Sequence, residues 1–243
     1  MGNTMEIENK LERLLKILGI EEPVLALYDT DDLAPYEPVI RPEGRQCCWA
    51  YMDSWRQGKT LAIGKDAFGC PGGGRYLVGV EMPGRDLPKF LYEEEGLKAS
   101  FDIAKDWVKN MFLHEGGRKY ALIGPFRADR LDEMATVTLL ANPDQLAVLV
   151  TGAVYHRSEG IPGNVLVTLA AGCGLLDPFQ KSKEPMAVIG SMDMAMRQHL
   201  PPHIIAFTVN MPMFHQLINM DENSFLHKPF WKRLKEARMK AEG

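Results

Sequence analysis

The chain has 243 residues, 46% of them hydrophobic and 25% charged, with 28 Lys and Arg against 32 Asp and Glu for a net charge of −4. These proportions fit a globular protein, exclude wholesale disorder, and exclude the basic footprint of a nucleic-acid binder. With no apolar run near the roughly 20 residues of a membrane span, and no signal or myristoylation pattern at the N-terminus, the expectation is a cytoplasmic protein without membrane or nucleic-acid partners.

The first segment, Met5 to Leu18, carries Ile7, Leu11, Leu14, Leu15 and Leu18 and stops at Gly19, which predicts an amphipathic helix with its C-cap. Pro23 to Tyr28 reads as a buried strand, followed by a polar, proline-rich and exposed loop from Asp29 to Gly44. Cys47 to Trp55 opens a helix ended by Gly58, and Thr60 to Ile63 is a short strand ahead of the glycine run Phe68-Gly69-Cys70-Pro71-Gly72-Gly73-Gly74. Pro83 to Gly96 reads as an acidic loop, and Ser100 to Leu113 as a helix with apolar positions Phe101, Ile103, Ala104, Trp107, Val108 and Met111. Strands follow over 120–123 and 135–140. Asn142-Pro143-Asp144-Gln145 then starts a helix running to about His156, with Asn142 as N-cap and Pro143 in the first turn.

The second half repeats the rhythm. Strands are predicted over 165–169, 186–189 and 203–209, and helices over 192–200, 212–220 and 228–241, with Cys173 in a small-residue turn. The basic stretch from Lys228 to Lys235 has helical spacing and reads as a solvated face. Alternation without a linker or an internal repeat predicts one α/β domain over residues 1–243, a mixed sheet flanked by helices.

Chemistry concentrates at the cysteines. In a reducing compartment Cys47, Cys48, Cys70 and Cys173 are thiols or ligands. None forms a C-x-x-C pair, so spacing alone does not specify zinc or a cluster. Cys70 and Cys173, however, both sit among glycines, where backbone amides can approach a ligand closely. Cys47 and Cys48 are adjacent and their side chains diverge, so at most one shares a site with Cys70. The Gly72-Gly73-Gly74-Arg75 stretch lacks a P-loop or dinucleotide fingerprint, although Arg75 suits an anion. Asp193 and Arg197, four apart on a helix, form either an intrahelical ion pair or a ligand-facing pair. The scattered histidines carry no pattern, and Pro201-Pro202 separates His199 from His203.

Taken together, Phe68 to Gly74, Asn142 to Leu146, Ala171-Gly172-Cys173, Ala187 to Gly190 and Ser224-Phe225-Leu226 resemble, in order, the bacterial and archaeal family called domain of unknown function 169. The resemblance implies a cytosolic protein, of a kind frequent in anaerobes, with cysteines at the positions of Cys47 or Cys48, Cys70 and Cys173. The first expectation is therefore a metal or iron–sulfur centre held by Cys70, Cys173 and Cys48, with Cys47 as the substitute for Cys48. Gly72, Gly73, Gly74, Arg75, Asp193 and Arg197 would line its approach, and redox would be the general theme. The second is a metal-free small-molecule binder or enzyme using Cys70 as a reactive thiol. The third is a structural or homo-oligomeric module whose cysteines only pack.

Overall fold

The computed structural model describes residues 2–79, 86–110, 117–167 and 182–242. Helix α1 (Gly2–Leu18) buries Ile7, Leu11, Leu14 and Leu18 on one stripe. It closes in a Schellman motif, with Gly19 at φ +68°, its N–H on Lys16 O (3.3 Å) and the Ile20 N–H on Leu15 O (3.0 Å). Among the described residues eight strands follow in one sheet: β1 (Leu25–Tyr28), β2 (Val39–Ile40), β3 (Thr60–Gly64), β4 (Tyr120–Pro125), β5 (Met134–Ala141), β6 (Val165–Val167), β7 (Ala187–Ile189) and β8 (Ile205–Asn210). Their order is β2-β3-β4-β1-β5-β8-β7-β6. The two edge pairs, β2–β3 and β6–β7, are parallel and the inner pairs antiparallel, so the sheet is mixed.

Both faces are covered, which is why the central strands read as continuous apolar runs. Ala26, Tyr28, Ala62, Leu122, Val137 and Phe207 point to one side. There they meet α1, α6 (Pro143–Val154), α8 (Met211–Ile218) and α9 (Pro229–Glu242). Leu25, Leu27, Leu61, Ile63, Ala121, Ile123 and Ala206 point to the other side, under Trp49, Trp55, Phe68, Leu77 and Met196. The Trp49 and Trp55 rings pack edge to face at 5.9 Å. That second layer comprises the 3₁₀ turn Cys48–Tyr51, α2 (Met52–Arg56), α3 (Pro71–Val78) and α7 (Met194–Arg197). Outside it lies a smaller apolar cluster, Tyr76, Leu87, Leu91 and Val108, contributed by α3, α4 (Leu87–Lys89), the π-turn Phe90–Glu94 and α5 (Phe101–Asn110). Among the described residues no helix is long and apolar enough to cross a membrane.

Several sequence expectations need correction. The 29–44 segment is not a wholly exposed loop: it carries a 3₁₀ turn with Tyr36 buried, and then edge strand β2. The glycine run is helical from Pro71, because Cys70 caps it, Pro71 suits the first turn, and the small residues pack against neighbours. The acidic segment is helical from Leu87 to Glu94, started by the Asp86 side chain accepting the Lys89 N–H at 3.2 Å. Helix α7 spans only Met194–Arg197, half the predicted length. Cys173, and positions 168–169 of the strand expected over 165–169, lie outside the described residues.

Candidate functional site

The site begins with a short backbone pairing. Gln46 forms a parallel bridge with Phe68; its N–H reaches Ala67 O (3.1 Å) and its carbonyl accepts the Gly69 N–H (2.7 Å). Two strand-like segments are thereby laid side by side, each followed by a cysteine, Cys47 on one and Cys70 on the other. Gly69 is required for the approach: a Cβ there would lie 2.9 Å from the Gln46 carbonyl carbon and 3.0 Å from its Cα.

Beyond the bridge the chains turn into helices. Cys70, extended at φ −112° and ψ 152°, is the N-cap of α3, and its Sγ accepts the Gly73 N–H at 3.4 Å. Cys48 turns inward and is 1% exposed, in the core beneath β3, whereas Cys47 is half-buried. Adjacent side chains diverge as expected, and it is Cys47 that faces the same space as Cys70.

That space is a cavity of about 250 Å³. Cys47, Cys70, Gly72 and Trp49 form the inner wall, and Met196 and Asp193 close one side. Tyr76, Leu87, Phe90, Leu91 and Trp107 form the outer apolar wall, and the exposed Arg45, Gln46 and Gln198 stand at the rim. Four aromatic side chains thus surround two thiols. The indole N–H of Trp49, a residue 1% exposed, has no hydrogen-bond partner among the described residues, and neither has the Tyr51 hydroxyl.

Glu95 also lines the cavity. Burial first, then the charges of Asp193 and Glu94, push its carboxyl up to about 7. The π-turn puts it there. At 3.6 residues per turn, Phe90 and Glu95 would stand about 140° apart around an α-helix. The wider turn, closed by the Glu95 N–H on Phe90 O (3.0 Å), brings both to the cavity side.

Asp193 is 7% exposed and precedes α7, after the buried Ser191, which has the left-handed φ of +60°. Ser191 is held there by its hydroxyl, which donates to Gly190 O (2.6 Å) and accepts the Ala206 N–H (3.0 Å). A strained residue beside a cavity-lining carboxylate is the kind of outlier that clusters at functional sites.

The other expected residues lie elsewhere. Arg197 is a structural clamp: its guanidinium donates to the carbonyls of Ile204, Pro202 (2.8 Å) and Pro201 (3.3 Å), holding the turn into β8. Neither the ion-pair nor the ligand-facing expectation anticipated this. Gly73 sits where a Cβ would meet the Phe68 ring at 2.5 Å, and the Gly74 carbonyl accepts the Gly79 N–H. Gly73 therefore serves packing. Arg75, half-buried on α3, and Arg197 are not among the residues lining the cavity. Sequence reasoning missed the outer wall, although the triple acid 93–95 and Trp107 were both visible signals.

The expected metal centre is only partly in view, because its third ligand, Cys173, lies outside the described residues. Among the described residues no group of three or more His, Cys, Asp or Glu side chains is placed to hold a metal ion. Cys47 and Cys70 supply two thiols, short of a three- or four-ligand set.

No curated protein and no solved structure matches the chain. The sequence model of domain of unknown function 169, described as uncharacterised ArCR, does match, over residues 13–220. That stretch runs from within α1 to just past α8 and includes every residue lining the cavity. The chain belongs to the domain of unknown function 169 family.

Proposed function

We propose that the protein binds a compact, ring-bearing small molecule in this cavity, with the thiols of Cys70 and Cys47 in contact with it. The observation that carries the reading is the convergence of Trp49, Tyr76, Phe90 and Trp107 with both thiols around one space. Its size is informative. About 250 Å³ lies between the roughly 150 Å³ of a cavity that takes benzene and the roughly 300 Å³ lower bound for drug-sized ligands. The buried indole N–H of Trp49 offers a donor for a polar atom of the guest. At the N-cap of α3, Cys70 Sγ faces backbone N–H groups that stabilise negative charge, which suits a thiol that ligates or attacks.

A second reading retains the same two thiols as ligands of a metal or iron–sulfur centre. It is favoured by their common wall, and it requires Cys173 or an external ligand to complete the set. One preparation tests both. The protein, purified without oxygen, is assayed for iron, zinc and sulfide. It is then titrated with single-ring probes while Trp fluorescence and the alkylation rate of Cys70 are followed. Saturable quenching, together with protection of Cys70 that is lost in Trp107→Ala, supports the small-molecule reading. Stoichiometric iron and sulfide that disappear in Cys70→Ala and Cys47→Ala would replace it with the second. A metal-free protein that responds to no probe sinks both.

A further inference from the structure

Resting on the reading that the cavity takes a compact ring-bearing guest, we propose that the guest carries a cationic nitrogen, an amine or amidine, seated against the Glu95 carboxyl and enclosed by the aromatic wall. Glu95 lies on the cavity surface immediately after the π-turn, and that turn turns it and Phe90 toward the same space. No hydrogen bond or ion pair engages its carboxyl among the described residues. A half-buried carboxyl in an apolar cavity is costly unless a partner compensates it. The surrounding rings are suited to a cation, whose charge is attracted to aromatic faces.

Among the described residues the other charged and titratable groups facing this space are few. From its own segment Glu94 adds negative charge, and from the segment before α7 Asp193 does the same. From the segment before α2 come Cys47 and the exposed Arg45 at the rim, from the start of α3 Cys70, and from α3 itself Tyr76. Lys98 lies 4.5 Å from the centroid of the Trp107 ring and is not a lining residue. Burial first, and then the carboxylates of Asp193 and Glu94, raise the proton affinity of Glu95, so at neutral pH it exchanges between acid and carboxylate. A cation entering displaces that proton. A neutral amine instead takes it up, leaving an ammonium–carboxylate pair with no net proton exchange.

The test uses three probes of nearly equal shape: benzylammonium, benzyl alcohol and benzoate. Binding to the full chain is read by Trp fluorescence at about pH 7.5, where most of Glu95 is ionised, and at about pH 5.5, where little is. At the higher pH benzylammonium is expected to bind about tenfold or more tightly than benzyl alcohol, with benzoate weakest. That preference should shrink to within about threefold in Glu95→Gln, and in the wild-type protein at the lower pH. The pH arm needs no variant and so stands even if Glu95→Gln folds poorly. If benzyl alcohol or benzoate binds as tightly as benzylammonium, the cation assignment is wrong while the cavity reading survives. A preference that Glu95→Gln leaves intact overturns it equally. If no probe binds, both fall.

Discussion

Gly69→Ala tests the geometry on which the site depends. The new Cβ would sit 2.9, 3.0 and 3.1 Å from the carbonyl carbon, Cα and nitrogen of Gln46. All three are main-chain atoms, so no rotamer change relieves the contact, and the pairing between 46 and 68 must open. Forcing a methyl group into such packing costs roughly 1–3 kcal/mol. Removing a glycine from the unfolded chain returns about 0.4–1 kcal/mol. The net expectation is a loss of about 1–2 kcal/mol, or a Tm lower by roughly 2–8 °C for a chain of this length. Because Cys47 follows Gln46 directly, the same opening should speed alkylation of Cys47 relative to the wild-type protein. Urea denaturation and timed iodoacetamide labelling measure the two effects. Gly160→Ala is the control: nothing lies within 4 Å of its Cβ, so only the unfolded-state gain of about 0.4–1 kcal/mol is expected. If Gly69→Ala matches that control in both stability and labelling, the close approach does not hold the two cysteine segments together.

Asn210→Ala should lose about 2–4 kcal/mol in urea denaturation, because the side chain is 1% exposed and central to three segments. It accepts the Met213 N–H (3.1 Å) as cap of α8 and the Met186 N–H (3.0 Å), and it donates to Glu184 O (2.8 Å). Cys70→Ser should hold its stability to within a few tenths of a kcal/mol, since serine is a strong N-cap. Cys70→Ala should lose about 0.5–1 kcal/mol, and equal stability of the two would refute the capping role. His215, exposed at the surface, is held below its ordinary value by partial desolvation first and then by Lys10. A histidine of lowered pKa binds protons more readily unfolded, so its contribution is full above the unfolded value of about 6.5 and erodes as pH falls through it. His215→Gln should therefore flatten the stability profile on the acid side of about pH 6.5, as read by urea midpoints across pH.

Element order was legible because local rules and tertiary packing agree over most of the chain. Helix α1 has one apolar stripe and a glycine stop. Helix α6 begins with a full capping box, Asn142 Oδ1 on the Gln145 N–H (2.9 Å) and Gln145 Oε1 on the Asn142 N–H (2.8 Å). Where the two disagree, the sequence misleads. Three consecutive glycines have the poorest helix propensity short of proline, yet α3 forms. Tertiary contact overrides propensity there: Phe68 fills the space a Gly73 side chain would need. The π-turn failed to show for the opposite reason, since its wider period matches neither of the two standard spacings. The two thiols of the site were half-legible. Divergence of neighbouring side chains said that one of Cys47 and Cys48 would join Cys70, but only burial decides which. Cys48 is the one taken by the core, beneath a strand whose inward positions Leu61 and Ile63 are fully buried.

The Cys-Pro-Gly-Gly-Gly element changes meaning once the helix is seen. As a loop, its glycines would be there to let a ligand approach the backbone. In the first turn of α3, Gly73 lets the Phe68 ring approach the helix, Gly72 lies on the cavity wall, and the proline sets the first helical residue. The element therefore fixes where Cys70 points and leaves recognition to what stands opposite. What stands opposite is α4, the π-turn and α5, which among the described residues share a small apolar cluster with α3, outside the two large cores. The cavity lies between an inner layer bearing the thiols and an outer layer bearing Glu95, Phe90 and Trp107. On the proposed reading, the outer layer supplies the Glu95 carboxyl with Phe90 and Trp107, and the inner layer the two thiols and the Trp49 N–H.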